Sequence, residues 1–454
     1  MKKNNEYNLF TAISLIVGIV IGSGIFFRSD DVLGYTSGSV VQGILVFIIA
    51  GISIVFGSLT ISKIAMMTNK AGGIITYMEE TLNAHAAGSI GWFHSFVYYP
   101  TLVVVVSWVA GIYLCMLFNL PGELMVQCAI GFFFVVLFFT LNVLAKKIGG
   151  YFQVGTTVIK LIPLVLIAVL GVVYGDTTNI TIEPIIKTTS NIGFIAAIVP
   201  IAFSFDGWIV ASSMSHEIKN AKKNLPLALT ISPFFIVMIY SLYLVGISAI
   251  LGPEQVIALG DSHVYVASEF LFGALGAKII LIFVIISVLG TVNGLIIGII
   301  RLPYGLALRN MIPNSNRIKE VNQNLDIPVN SAILSFVITC IWFIIHYFVM
   351  KYQLLGGSDV SEISIVMNYV CYIGIYLGVI RLYQKKKVKG MISSVFNPII
   401  ATIGSLIIFF GSLIVVSQEG LVFNVKAFVF MLLSSIILTI AYLYCKKHAI
   451  CSEK

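Results

Sequence analysis

The sequence predicts an all-α polytopic membrane protein with twelve transmembrane helices. The first ten form a five-plus-five inverted repeat in which helices 1 and 6 are broken, and two extra helices follow. Three observations lead there. Of 454 residues, 59% are hydrophobic and only 10% charged, where a soluble domain carries about 25% charged residues. The apolar residues fall into runs long enough for the ~20 residues that a bilayer core demands. Two of those runs, five spans apart, are interrupted at mid-span by small or charged residues.

The runs cover about 8–27, 37–62, 91–118, 124–144, 151–174, 191–215, 227–251, 266–300, 328–349, 361–382, 397–416 and 421–445. Short loops leave no room for a separate soluble domain, so 1–454 reads as one membrane domain. Within it, 1–174 and 191–382 are the two repeats and 397–445 holds helices 11 and 12. An odd number of spans per repeat sets the halves in opposite orientations. Met1-Lys2-Lys3 ahead of the first run imitates a signal peptide, but eleven more spans behind it read as a retained helix.

Lys and Arg set the orientation. With the N-terminus inside, 21 of the 27 fall in inner segments; Arg28, Lys187, Lys351 and Lys426 fall in outer ones, and Lys160 and Lys278 within spans. Both termini are therefore expected in the cytoplasm. The run Lys385 to Lys389 is expected to anchor topology on anionic lipid. The net charge of +8 is spread over these short clusters, a topology pattern and not a nucleic-acid surface. Six scattered cysteines without a C-x-x-C pair imply neither a disulfide framework nor a metal site.

The two breaks carry the chemistry. In span one, Val20-Ile21-Gly22-Ser23-Gly24-Ile25 places three small residues in succession. In span six, Phe203-Ser204-Phe205-Asp206-Gly207-Trp208 puts a carboxylate and a glycine at mid-membrane, where a charge costs about 2.5–3.5 kcal/mol on the insertion scale. Where a helix unwinds, the first half ends in free carbonyls and the second begins with free N–H groups. The N–H groups near Ser23, Gly24 and Ile25 suit a carboxylate, and the carbonyls from Phe203 to Asp206 suit an ammonium. A zwitterion bearing both on adjacent atoms, an α-amino acid, fits; a pair of purely structural kinks is the competing reading. Gly290, Gly294 and Gly298 repeat every four residues on span eight and read as a smooth packing face.

These residues, with stretches elsewhere, resemble the L-type amino acid transporter family of the amino acid–polyamine–organocation superfamily, above all its bacterial serine/threonine exchangers. The resemblance runs from Gly22-Ser23-Gly24-Ile25 through Lys70-Ala71-Gly72-Gly73 before Tyr77, and Phe152-Gln153 with Lys160 and Pro163. It continues in Phe205-Asp206-Gly207-Trp208, Glu217-Ile218-Lys219-Asn220 with Asn224-Leu225-Pro226, Gly290-Thr291-Val292-Asn293-Gly294 and Ser361-Glu362-Ile363-Ser364-Ile365. It implies sodium-independent transport of neutral L-amino acids across a bacterial plasma membrane, usually by exchange. Gly22, Ser23 and Gly24 would receive the substrate carboxylate. Val20, Phe203 and Asp206 would offer carbonyls to the ammonium, and the Phe203 side chain would close the site from outside. Lys160 would sit at the junction of spans one, five and eight, either as a fixed charge standing in for sodium or as a proton carrier. Asn293 would bond toward the break in span one, and Tyr98, Tyr99 and Trp208 line the neighbourhood as packing or as contacts.

The animal members tether a heavy chain through a cysteine between spans three and four. Phe118-Asn119-Leu120-Pro121-Gly122-Glu123 has none, so no disulfide-linked partner is expected. An enzyme is not expected either, nor a cofactor: His216-Glu217 starts like a metalloprotease motif, but Asn220 stands where the second histidine belongs. A proton-coupled symporter, a carrier of cationic amino acids that uses Asp206 as counter-charge, and a non-transporting amino acid sensor share the same sequence features.

Overall fold

The structure, a computed structural model, describes residues 8–22, 24–68, 73–145, 156, 159–180, 193–209, 218–355, 358–417 and 420–448. Ser23, Lys70-Ala71-Gly72, Phe152-Gln153 and Glu217 lie outside the described residues. The fold is nearly all helical. Nine helices among the described residues are long and apolar enough to cross a membrane, and three shorter apolar helices start at Leu9, Leu161 and Phe194. The short ones fall in the expected spans one, five and six.

Span one is two helices, α1 (Leu9–Val20) and α2 (Gly24–Tyr35), so it ends eight residues beyond the expected boundary at 27. The Asn8 side chain caps α1 by accepting the Thr11 N–H at 2.8 Å. Next come α3 (Val40–Ala65), α4 (Gly73–Thr81), α5 (Ala84–Phe93), α6 (Tyr99–Phe118), α7 (Leu124–Leu144) and α8 (Leu161–Tyr174). Span six opens with α9 (Gly193–Ala196) and α10 (Ile198–Ser204). It is followed by α11 (Ala221–Leu251), α12 (Pro253–Leu259), α13 (His263–Ala307), α14 (Ser315–Ile318), α15 (Val329–Lys351), α16 (Val360–Gln384), α17 (Asn397–Ser412) and α18 (Val425–His448). Non-helical backbone at Gly273 divides α13, so its first ten residues precede the straight part of span eight. One departure from all-α is a short antiparallel hairpin, β1 (Ile414–Ser417) with β2 (Gly420–Phe423), pairing Ile414 with Phe423.

Prolines shape the helices, and at three of them a neighbouring helix repairs what the proline undoes. A proline inside a helix frees the carbonyl four residues before it, which in lipid must find another donor. Pro100 frees Phe96 O, and Trp342 Nε1 donates to it at 2.6 Å. Pro233 frees Leu229 O, which accepts from Ser58 Oγ at 3.0 Å. Pro303 frees Ile299 O, which accepts from Ser335 Oγ at 3.1 Å. Ahead of Pro100 the helix widens into a π turn, His94–Tyr98, which turns His94 and Tyr98 toward one another.

Packing is closest where side chains are smallest. A Cβ on Gly171 of α8 would lie 2.5 Å from the Gly246 carbonyl of α11, so these two backbones touch. Likewise Gly111 of α6 meets the backbone of Gln127 in α7. These pairs bring α8 against α11, and α6 against α7, around the broken spans.

Candidate functional site: two facing helix breaks

The chain leaves helical geometry at Ile21 (φ −73°, ψ 99°), whose N–H bonds Val17 O and closes α1. Helix resumes at Gly24. In span six the helix ends at Ser204, and Gly207 takes a positive φ of 96° that glycine adopts without strain. The two breaks face each other directly. A Cβ built on Gly24 would lie 2.6 Å from Ser204 Cα, and one on Gly22 would lie 2.8 Å from Thr291 Oγ1 of α13. Gly22 and Gly24 are therefore small because backbone and a third helix occupy the space that a side chain would need.

Of the expected site residues, the structure brings Val20, Ile21, Gly22, Gly24, Ile25, Phe203, Ser204 and Phe205 together as buried groups. The first N–H groups of α2, at Gly24 and Ile25, have no partner within their own helix. Opposite them are the carbonyl ends of α1 and α10. Tyr240 of α11 reaches both: its hydroxyl donates to Ser204 O at 3.0 Å, and Val20 O lies at 3.5 Å. The Phe203 carbonyl stays within the break, where it accepts the Asp206 N–H at 3.1 Å. The Phe203 ring, the expected gate, lies beneath the Arg28 guanidinium, 4.9 Å from its carbon.

Lys160 is 1% exposed. Its Nζ donates to Gly18 O in the last turn of α1 at 3.2 Å and to Thr291 Oγ1 at 3.1 Å. It thus joins spans one, five and eight, and both of these partners are neutral.

Asp206 hangs from the break in span six. Tyr98 Oη donates to its Oδ2 at 2.5 Å, while Oδ1 is buried with no partner among the described residues. Behind Tyr98 the polar contacts continue. His94 stacks on its ring at 4.8 Å, His94 Nε2 shares a hydrogen bond with Asn368 Oδ1 at 2.9 Å, and Asn368 Nδ2 donates to the Tyr372 hydroxyl at 2.8 Å. Trp208 packs edge-on against Tyr372, with centroids 5.5 Å apart. The carbonyl of Asn293 bonds span four: Oδ1 accepts from Asn142 Nδ2 at 2.8 Å.

Sequence reading missed Tyr240, His94, Asn368 and Tyr372. Each is one polar atom in an otherwise apolar span, and only Asn368 and His94 are residue types unusual enough at mid-span to have drawn notice. No group of three His, Cys, Asp or Glu arranged for a metal ion occurs among the described residues.

This arrangement, two interrupted helices whose opposite ends meet at a buried junction, suits an ion with two charged ends. A family model described as amino acid permease matches residues 7–442. The serine/threonine exchanger SteT of Bacillus subtilis is 30% identical over 89% of this chain and 90% of its own length. The human b(0,+)-type amino acid transporter 1 is 28% identical over 64% of this chain and 60% of its own length. Among solved structures, that of MhsT in complex with L-phenylalanine superposes with a TM-score of 0.56 at 14% identity, covering 88% of this chain and 98% of that one. The likeness to MhsT is one of fold. The chain belongs to the amino acid permease family of the amino acid–polyamine–organocation superfamily, and it is a multi-pass membrane transporter of amino acids, not an enzyme.

Proposed function

We propose that this protein is a sodium-independent exchanger of neutral L-amino acids working by alternating access in the plasma membrane, with both termini in the cytoplasm. The nine long and three short apolar helices are read as twelve spans, with 1–174 and 191–382 as inverted repeats and 397–445 outside them. The substrate carboxylate is taken by the N–H groups at the start of α2, from Gly22 to Ile25 with Ser23 between them. The ammonium is taken by the carbonyls of Val20 and of the segment from Phe203 to Asp206. Transport needs no disulfide-linked heavy chain.

The observation that carries this reading is the Lys160 ammonium, fully buried and bonded to the Gly18 carbonyl beside the break. A cation covalently fixed at that carbonyl end holds α1 in place without drawing an ion from solution. Among the described residues of the breaks the one carboxylate is Asp206, and Tyr98 already engages it, which favours uncharged substrate side chains. The exchange activity named for SteT points the same way.

One observation favours a second reading, proton-coupled symport. The two bonding partners of Lys160 are neutral, so neither opposes loss of its proton as a fixed anion would. Uptake of labelled serine, threonine and leucine into proteoliposomes separates the two. Uptake confined to vesicles preloaded with amino acid, indifferent to sodium and to a proton gradient, supports exchange. Uptake into empty vesicles that follows the proton gradient makes the protein a symporter, and a requirement for sodium refutes both.

A further inference from the structure

A basic patch lies where the end of α3 meets the linker between α16 and α17. The linker carries Lys385, Lys386, Lys387 and Lys389 within five residues, all of them exposed. Its backbone is pinned. Lys386 takes a left-handed φ of 57° just past α16, a place that helices usually give to glycine. The turn closes through the Lys386 N–H on Tyr383 O and the Lys387 N–H on Leu382 O, both at 2.9 Å, and Val388 is buried between its exposed neighbours. The fold then adds a fifth cation. Lys63, in the last turn of α3, donates from Nζ to Lys389 O at 2.9 Å, across 326 residues of sequence. No carboxylate pairs with any of the five among the described residues, whose ion pairs centre on Arg28 and Arg309. Gathering like charges is unfavourable unless an anion offsets them.

Directly beyond the lysines the surface turns apolar. Met391 and Ile392 are 69% and 72% exposed, at the π turn Ile392–Phe396 that leads into α17. Phe396 sets its ring edge-on to Phe56 of α3, with centroids 5.9 Å apart, and Ile399 and Ile403 continue the exposed face along α17. The seam between α3 and α17 thus has cations at its end and bare hydrocarbon along its length, which matches the two parts of an anionic phospholipid. A soluble phosphate or a nucleic acid would use the lysines and gain nothing from the apolar face. A neutral lipid would use the seam and leave the lysines without a counter-charge. We propose that this seam binds one anionic glycerophospholipid, with its phosphate among the five lysines and an acyl chain along Phe56 and Phe396. In the orientation proposed above it comes from the inner leaflet, and it bridges α3 to the α16–α17 linker where Lys63 already ties them.

The test uses the purified full chain in a neutral detergent, titrated with phosphatidylglycerol or phosphatidylcholine while native mass spectrometry counts the lipid bound. One phosphatidylglycerol should bind at concentrations where phosphatidylcholine does not, and equal binding of the two overturns the site. Each lysine lost should weaken binding about fivefold, the equivalent of about 1 kcal/mol beside an anionic headgroup. Lys385→Gln, Lys386→Gln and Lys389→Gln together should therefore weaken it about a hundredfold. Lys219→Gln, Lys222→Gln and Lys223→Gln remove three other exposed lysines and should leave it unchanged. Equal weakening by both sets reduces the patch to diffuse attraction and overturns the site. If the first triple variant does not reach the membrane, Lys63→Gln decides: binding about fivefold weaker is expected, and unchanged binding overturns the proposal. Displacement of the lipid by equimolar glycerol 1-phosphate or by a short DNA strand overturns it as well, because the apolar seam would then contribute nothing. None of these readouts depends on transport, so their failure is separate from failure of the exchange reading.

Discussion

Replacing Gly24 by alanine should force the two broken helices apart. The added methyl would lie 2.6 Å from Ser204 Cα, 3.1 Å from Ser204 Oγ and 3.2 Å from Ser204 Cβ. Rotating the Ser204 side chain moves the hydroxyl only; the Cα cannot yield without its helix. Ordinary contact begins at 3.4 Å, so the backbones must part by about 0.8 Å. Overpacking of this kind costs about 1–3 kcal/mol. If that strain falls on the closed, substrate-holding state, half-saturation of exchange rises by about 5- to 150-fold, at 1.4 kcal/mol per tenfold. The assay is the concentration dependence of labelled amino acid exchange in proteoliposomes, beside the thermal midpoint of the purified protein. Gly305→Ala is the control: its Cβ meets nothing within 4 Å, and alanine in a helix is favoured by about 0.5–1 kcal/mol over glycine. A Gly24→Ala protein whose half-saturation stays within about twofold of the parent would refute the close approach of the two breaks.

Lys160→Ala removes both bonds, to Gly18 O and Thr291 Oγ1. Exchange should fall by about tenfold or more, and a variant that merely acquires or loses sensitivity to pH would move the assignment to a proton carrier. Asp206→Asn keeps an acceptor for Tyr98 Oη, so exchange of neutral amino acids should persist; its loss, with cationic uptake abolished, would instead make Asp206 a counter-charge. Tyr240→Phe removes the hydroxyl shared by Ser204 O and Val20 O. At about 0.5–1.5 kcal/mol per hydrogen bond, apparent affinity should change by about 2- to 12-fold, and unaltered kinetics would leave Tyr240 a packing residue. Trp342→Phe strands the Phe96 carbonyl freed by Pro100. Its thermal midpoint should fall, by the equivalent of about 1–3 kcal/mol for an unsatisfied buried group, with half-saturation unchanged.

The membrane-spanning plan was legible in the chain because lipid imposes it locally: each helix must be apolar over its own length and must satisfy its own backbone. The interruptions were legible for the same reason. Gly22 and Gly24 in one run, and Asp206 with Gly207 in another, violate what an unbroken lipid-facing helix would carry. Lys160 stood out too, because a mid-span lysine has a cost visible without any neighbour.

Partnership was not legible. Arg28 counted by hydropathy as an outer flanking charge, but it is buried, because besides nearby Asp31 it pairs with Asp359, 331 residues away, and with Glu362. The Asn293 carbonyl is held by Asn142 from 151 residues away. Tyr240 looked like one more aromatic in an apolar run until its hydroxyl proved to sit between two helix ends. The sequence by itself determined which stretches form long apolar helices and where two of them unwind, since hydropathy and backbone hydrogen bonding act within one segment. Only the tertiary structure decided which polar groups meet, because in a medium without water each must find its donor or acceptor on another helix, and the chain order does not say which.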